Sequence, residues 1–299
     1  MDLPEGYTQR PLHLDDAAAV TTVMTAQELH DIGEIVIEEA DIVGDWSRPS
    51  FDVESSTVGV FARDALVAYA ELSGDDRVDA AVHPEHRSRG LGTALAGWLQ
   101  ATARQRGARV IGMPVPSGSP GDALLRALGY HQRWTSWVLA LPEGKEVEAQ
   151  PLPGGYQIRS AVEAELPAVH TVVEDAFLEW SVRERQSFED FDARVRQRPG
   201  FQPWNLRVAA DQAGEVVGVS HVLVDTNAGN SFINMLAVRR DRRGLGLARA
   251  LLADSFAVAR DHGAQGSELS TDSRTGALGL YEKVGMEVTS TWVNLAIEL

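Results

Sequence analysis

The apolar positions of this chain fall into two periods. Short branched stretches at 57–62, 65–70, 78–82, 206–210, 216–224 and 232–238 alternate apolar and polar residues or run apolar throughout, as strands do. Longer Ala- and Leu-rich stretches carry apolar residues three and four apart. They predict helices from the Asp15-Asp16 cap to about His30, at 34–41, from the Gly92 turn to about Gln105, and at 163–180, 188–197 and 247–260. Shorter helices are expected at 121–128 and 276–284. Further strands are expected at 7–14, 109–113, 130–141, 156–159, 266–270 and 288–299.

The order of elements occurs twice. Strand, helices, strands, helix, strand, helix, strand runs up to a stretch at 142–154 that is rich in Pro, Gly and charge, and then begins again. Gly246 lies 156 positions after Gly90, and the same offset relates Arg243 to Arg87, Ala248 to Gly92, Val238 to Val82 and Gly285 to Gly129. Nearer the start the offset is smaller, with Arg159 lying 149 positions after Arg10. The pattern predicts an α/β chain of two tandem domains, 1–141 and 155–299, joined by a linker at 142–154. Each is expected to be a mixed, mostly antiparallel sheet flanked by helices.

The repeated centre is a strand, a basic turn with glycines, and a helix. In the second copy Val238 leads into Arg243-Gly244-Leu245-Gly246-Leu247-Ala248, and in the first Val82 leads into Arg87-Ser88-Arg89-Gly90-Leu91-Gly92-Thr93. Such a turn suits an anion. The first N–H groups of a helix have no internal acceptor, its dipole is positive at that end, and glycine lets a ligand reach the backbone. The turn lacks the third glycine of the dinucleotide fingerprint and the Gly-Lys-Ser/Thr of the ATP loop.

The Arg-x-x-Gly-x-Gly/Ala pattern resembles the pyrophosphate loop of the GNAT family, the acyl-CoA-dependent N-acyltransferases. The element order resembles the GNAT fold over nearly the whole chain, and the tandem is broadly similar to the mycothiol synthase type. The resemblance implies that Arg243, Gly244, Leu245, Gly246, Leu247 and Ala248 hold the cofactor pyrophosphate. It implies that the strand backbone of Leu236, Ala237 and Val238 pairs with the pantetheine arm. The first copy offers Ala80, Ala81 and Val82, with Ser88, Arg89, Gly90, Leu91, Gly92 and Thr93, for the same roles. Leu280-Tyr281-Glu282-Lys283-Val284-Gly285 resembles the family's Leu-Tyr-Glu-x-x-Gly segment, which makes Tyr281 the expected acid for the departing thiolate. The first copy has Leu125 there, so catalysis is expected in the second domain, with the first non-catalytic but able to bind CoA. Where the family often has a cofactor-contacting Asn, Ser273 is expected.

These readings imply an enzyme that moves an acetyl group from acetyl-CoA to a primary amine of a small molecule by direct attack. The alternatives are acetylation of a cysteinyl pseudodisaccharide, as in the mycothiol synthase type, and a non-catalytic acyl-CoA-binding protein. Glu179, His221 and Asp225 are candidate bases by their segments alone. His83, Glu85 and His86 have a metal-like spacing without a third ligand, and read as loop. Trp46, Phe51, Trp180, Phe188 and Trp204 are expected to pack the helices or line the acceptor pocket.

Composition narrows the picture. The net charge of −16 argues against a nucleic-acid partner and is compatible with a cationic amine. There is no cysteine, which excludes disulfides and thiolate chemistry. No stretch approaches the roughly 18 apolar residues of a membrane span. Residues 1–6 are acidic and lack the order of a secretion signal, so a cytoplasmic monomer or homodimer is expected.

Overall fold

The computed structural model describes residues 1–74, 76–148, 151–225 and 229–299. In chain order the elements are β1 (Tyr7–Arg10), α1 (Ala17–Asp31), α2 (Glu39–Trp46), α3 (Val53–Ser56), β2 (Thr57–Ala62), β3 (Ala65–Leu72), β4 (Val78–Val82), α4 (Leu91–Gln105), β5 (Val110–Pro116), α5 (Pro120–Ala127) and β6 (His131–Ala140). The second repeat follows with β7 (Gln157–Ser160), α6 (Leu166–Phe177), α7 (Phe188–Val195), β8 (Leu206–Ala210), β9 (Val216–Val224), β10 (Asn230–Val238), α8 (Leu247–Asp261), β11 (Gly266–Asp272), α9 (Leu278–Lys283) and β12 (Glu287–Glu298).

Two compact units result. One comprises residues 1–135 with 291–299, the other residues 136–290. In the first, β1, β2, β3 and β4 form an antiparallel sheet, and β5 pairs antiparallel with the end of β12, from Val110↔Glu298 to Pro116↔Trp292. In the second, β7, β8, β9 and β10 are antiparallel neighbours and β10 runs parallel to β11. On its other edge β11 pairs with the end of β6, from Glu268↔Ala140 to Asp272↔Ser136.

The last strand of each repeat is therefore exchanged, and the compact units differ from the expected spans 1–141 and 155–299. Hydropathy shows that a strand is buried but not which sheet edge receives it. Nor does the stretch at 142–154 behave as a free spacer where it is described; residues 149 and 150 lie outside the described residues. Val147 is buried in the core of the second unit beside Phe256 and Leu269, and Leu152 packs with Leu247 and Leu251.

A second difference is local. The helix expected at 34–41 starts only at Glu39. Gly33, at φ +81°, closes α1, and the carboxylate of Glu28 then accepts the N–H groups of Val36 and Ile37 at 2.8 and 3.0 Å. Those bonds hold the branched run Ile35-Val36-Ile37 out of a helix.

The two central helices pack alike. α4 buries Leu91, Leu95, Leu99 and Ala103 on the first sheet, and α8 buries Leu247, Leu251, Leu252, Phe256 and Ala259 on the second. The spacing of three and four residues gives each one apolar stripe. Each helix starts at a left-handed glycine, Gly90 at φ +84° and Gly246 at φ +80°.

Candidate active site

β10 organises the site in the second unit. It pairs with β11 only from Asn230↔Gly266 to Ile233↔Leu269, and beyond that the strands part. On its other side it continues along β9 to Val238↔Gly218, with a bulge between Ile233 and Met235. Arg239 N–H donates to Val217 C=O at 2.9 Å, so by antiparallel alternation Leu236 and Val238 turn their backbone groups toward the gap. Among the described residues this stretch of β10 has no partner strand on that side.

The basic turn closes one end of this gap. Gly244 and Gly246 both take positive φ, +78° and +80°. The first intrahelical bond of α8 runs from Ala250 N–H to Gly246 C=O at 3.0 Å. The N–H groups of Leu247, Ala248 and Arg249 thus have no acceptor inside the helix. Arg243 shapes the turn from within. Its Nε donates to Val238 C=O at 3.1 Å and its two Nη atoms meet the carboxylate of Glu179 at 2.8 Å each.

The cleft so formed has a volume of about 770 Å³. Leu236, Ala237, Val238, Arg243, Gly244, Gly246, Leu247, Ala248 and Tyr281 all line it. Arg242, paired with Asp211 and Asp241, and Arg249, paired with Glu148, add two guanidinium groups, and among the described residues the buried Nε of each has no protein partner. A cluster of cations and free N–H groups, on a chain of net charge −16, fits a polyanion. The long groove beside an unpaired strand edge fits an amide-bearing chain such as pantetheine.

Tyr281 sits on α9 at the cleft wall, only 8% exposed, and burial pushes its phenol up to about 12. It therefore stays protonated at any ordinary pH. Its helix is set by Thr275, whose hydroxyl accepts Ala277 N–H at 3.1 Å and lies 2.9 Å from the hydroxyl of Thr271. Thr271 and Thr275 both line the cleft. Two expected contacts stand elsewhere. Ser273 is exposed on the turn after β11 and outside the cleft lining, and Leu245 is the exposed tip of the loop. A one-residue shift in a turn reverses which side chain faces inward, and the sequence does not reveal that shift.

The candidate bases are placed differently. Glu179 lines the cleft, but its hydrogen bonds to Arg243 hold its carboxylate below the usual range, so it is a poor proton acceptor. Asp225 directly follows β9, where its N–H donates to Asn230 C=O, and is not among the residues that line the cleft. His221 is wholly buried on β9, and burial with Arg198 and Arg194 nearby lowers its imidazole to about 3. Its depressed pKa has a consequence for stability. The unfolded chain takes up a proton below about 6.5 while the folded chain does not, so stability is lost as pH falls from 6.5 toward 3. Between pH 7 and 5 this group should cost the wild type about 2 kcal/mol. His221→Leu is expected to remove that part of the acid destabilisation; urea unfolding at the two pH values checks it, and an equal loss in both proteins contradicts it.

Of the aromatics, Trp180 lines the cleft, with Arg274 4.7 Å above its ring and bound to Asp272. Trp46, Phe51, Phe188 and Trp204 pack in the cores. His86 bonds Tyr7, and no group of three metal-ligating side chains occurs among the described residues. Ser136 reaches the cleft from β6, a strand of the first repeat, which sequence order gave no means of finding.

The first unit keeps the framework, and its described residues cover the corresponding strand edge. Arg87 repeats Arg243, with its Nε on Val82 C=O at 3.3 Å and an ion pair to Asp31. Gly90 and Ser88 both take positive φ, and Ala94 N–H bonds Gly90 C=O. However, the outward N–H of Val82 is taken by the side-chain oxygen of Gln27 at 3.1 Å. Leu124 closes on the start of α4, where a Cβ on Gly92 would meet it at 2.7 Å. Pro114 and Pro116 replace Ser270 and Asp272 on the facing strand and offer no N–H. The cavity there is about 190 Å³ and includes Ala80 but none of residues 87–93.

Fold and cleft together offer an extended groove that runs from a glycine turn along a strand edge. Comparison with known proteins agrees. The family model described as acetyltransferase (GNAT) family matches residues 27–130 and 167–286. A mycothiol acetyltransferase of Salinispora arenicola is 32% identical over 258 residues, 79% of each chain, and one of Salinispora tropica is 31% identical over 249 residues, 78% of each. A GCN5-related N-acetyltransferase from Sphaerobacter thermophilus superposes with a TM-score of 0.75 at 27% identity, covering 99% of this chain and 97% of that one. A tandem GNAT protein from the clavulanic acid biosynthesis pathway shares the fold at the same TM-score and 19% identity, covering 98% of each. This chain belongs to the GNAT acetyltransferase family and is a tandem member of it, similar to the mycothiol synthase type. Among the described residues no helix is long and apolar enough to cross a membrane.

Proposed function

We propose that the second unit transfers the acetyl group of acetyl-CoA to the primary amine of a small acceptor, and that the first unit binds no acyl-CoA. The observation that carries this reading is the juxtaposition in one cleft of the left-handed glycine turn, the unpaired edge of β10 and the buried phenol of Tyr281. Its counterpart in the first unit has Gln27 on the strand amide and Leu125 in place of the phenol.

The residues divide the work. N–H groups of Gly244 to Arg249 hold the pyrophosphate, and the outward N–H of Val238 and its neighbours hold the pantetheine amides. A β10 amide beside the bulge polarises the thioester carbonyl. The neutral amine nitrogen forms the new C–N bond as the C–S bond breaks. Tyr281 gives its proton to the leaving sulfur, and the proton lost by the nitrogen passes to solvent in the open cleft. None of Glu179, His221 and Asp225 is suited to take it.

The names of the relatives favour a particular acceptor, the cysteinyl pseudodisaccharide that precedes mycothiol. Thiol release from acetyl-CoA, followed with this compound, L-cysteine methyl ester, D-glucosamine and spermidine side by side, tests the reading. Turnover of any amine supports acetyl transfer, and a strong preference for the pseudodisaccharide selects that acceptor. Binding of acetyl-CoA without turnover of any amine would point instead to an acyl-CoA-binding protein.

A further inference from the structure

Asn234 is the bulged residue of β10. Ile233 faces Val222 and Met235 faces His221, and the residue between has no partner in the register. It follows directly on Ile233↔Leu269, the last pair that joins β10 to β11. Asn234 thus stands where the two strands part, exposed on the cleft wall. Behind it, its side-chain Nδ2 lies 3.3 Å from Nδ1 of His221. His221 is wholly buried, and its other nitrogen, Nε2, has no partner among the described residues.

Several other polar groups on the cleft are already committed. Glu179 holds Arg243, Asp272 holds Arg274, and Thr271 holds Thr275. In the first unit the position 156 residues before Asn234 is Val78, an apolar residue with no exposure. The polar bulge is therefore present where Tyr281 is present and absent where Leu125 replaces it.

We propose that Asn234 receives the acceptor amine and that His221 is the positioning residue that orients it; this rests on the amine-acetylation reading above. The amide is planar, so anchoring Nδ2 inward on His221 turns Oδ1 outward to the cleft. An amide oxygen can accept an N–H of the amine and leave the nitrogen lone pair for attack. A carboxylate at this point would instead hold the acceptor as an ammonium ion, which cannot attack. A neutral imidazole behind the amide adds no positive charge against a basic acceptor.

Steady-state kinetics at saturating acetyl-CoA test this, with whichever of the four amines above the wild type turns over best. Asn234→Ala is expected to raise acceptor KM at least about tenfold while the acetyl-CoA Kd stays within about twofold. His221→Leu should do the same, His221→Gln should recover part of the loss, and the double variant should be no worse than Asn234→Ala alone. Asn234→Asp should move the acid limb of kcat/KM to higher pH, a readout that a packing role would not shift. An acceptor KM unchanged in Asn234→Ala, or effects of the two residues that multiply, overturns the assignment and leaves acetyl transfer standing. If the wild type turns over no amine, both readings fall together.

Discussion

Replacing Tyr281 by Phe is expected to lower kcat by about 10²- to 10⁴-fold, the usual contribution of a positioned proton donor. The ring fills the same space in the core around Met286, Val284 and Leu269, so folding should be intact. Acetyl-CoA affinity should stay within about twofold, because the phosphate loop and the β10 edge are untouched. The buried phenol adds a pH signature. Pushed up to about 12, it keeps its proton across the working range, so the wild type should show no alkaline fall in kcat from this group below about pH 10. Rapid-mix kinetics and calorimetry on the same preparation check both parts. Full turnover in Tyr281→Phe would remove the residue from the acid role.

The second large effect concerns the loop. Gly246→Val should abolish measurable acetyl-CoA binding, by more than about 100-fold, since two lost hydrogen bonds to charged oxygens at about 1.5–3 kcal/mol each account for that loss. Valine at φ +80° is strained by about 1–3 kcal/mol, and relieving the strain turns the free N–H groups away from a common point. Gly90→Val places the same strain at the same point of the first unit, at φ +84°. It should lower stability similarly and leave acetyl-CoA affinity unchanged. The pair separates damage to folding from damage to the site. Loss of binding in Gly90→Val with retention in Gly246→Val would move the cofactor to the first unit.

Much of the fold was legible because the two copies vouch for one another. The constant offset from Val82/Val238 to Gly129/Gly285 marks the same order of strand, turn and helix in both copies. The loop glycines and Tyr281 stand out in the sequence for a different reason, since Leu125 and not a Tyr occupies the corresponding position of the first copy. They are residue types set by local backbone or reaction chemistry, and they fell together in one cleft. What escaped depends on neighbours distant in sequence. The exchange of β6 and β12 is a choice of sheet edge, and hydropathy is blind to it. Gln27 on the amide of Val82 joins residues far apart in the chain. Ser273 is exposed outside the cleft lining, and the turn after β11 presents Thr275 to the cleft instead. Asn234 carried no signal, since a bulge is a mismatch between strands and a single strand does not encode it.

The most direct measurement is a calorimetric titration of the wild-type chain with acetyl-CoA. One site per chain is the result expected from an open cleft in the second unit and a first unit closed by Gln27 and Leu124. Two sites of similar affinity would show that the first unit still opens to the cofactor, and would contradict the division of roles between the repeats.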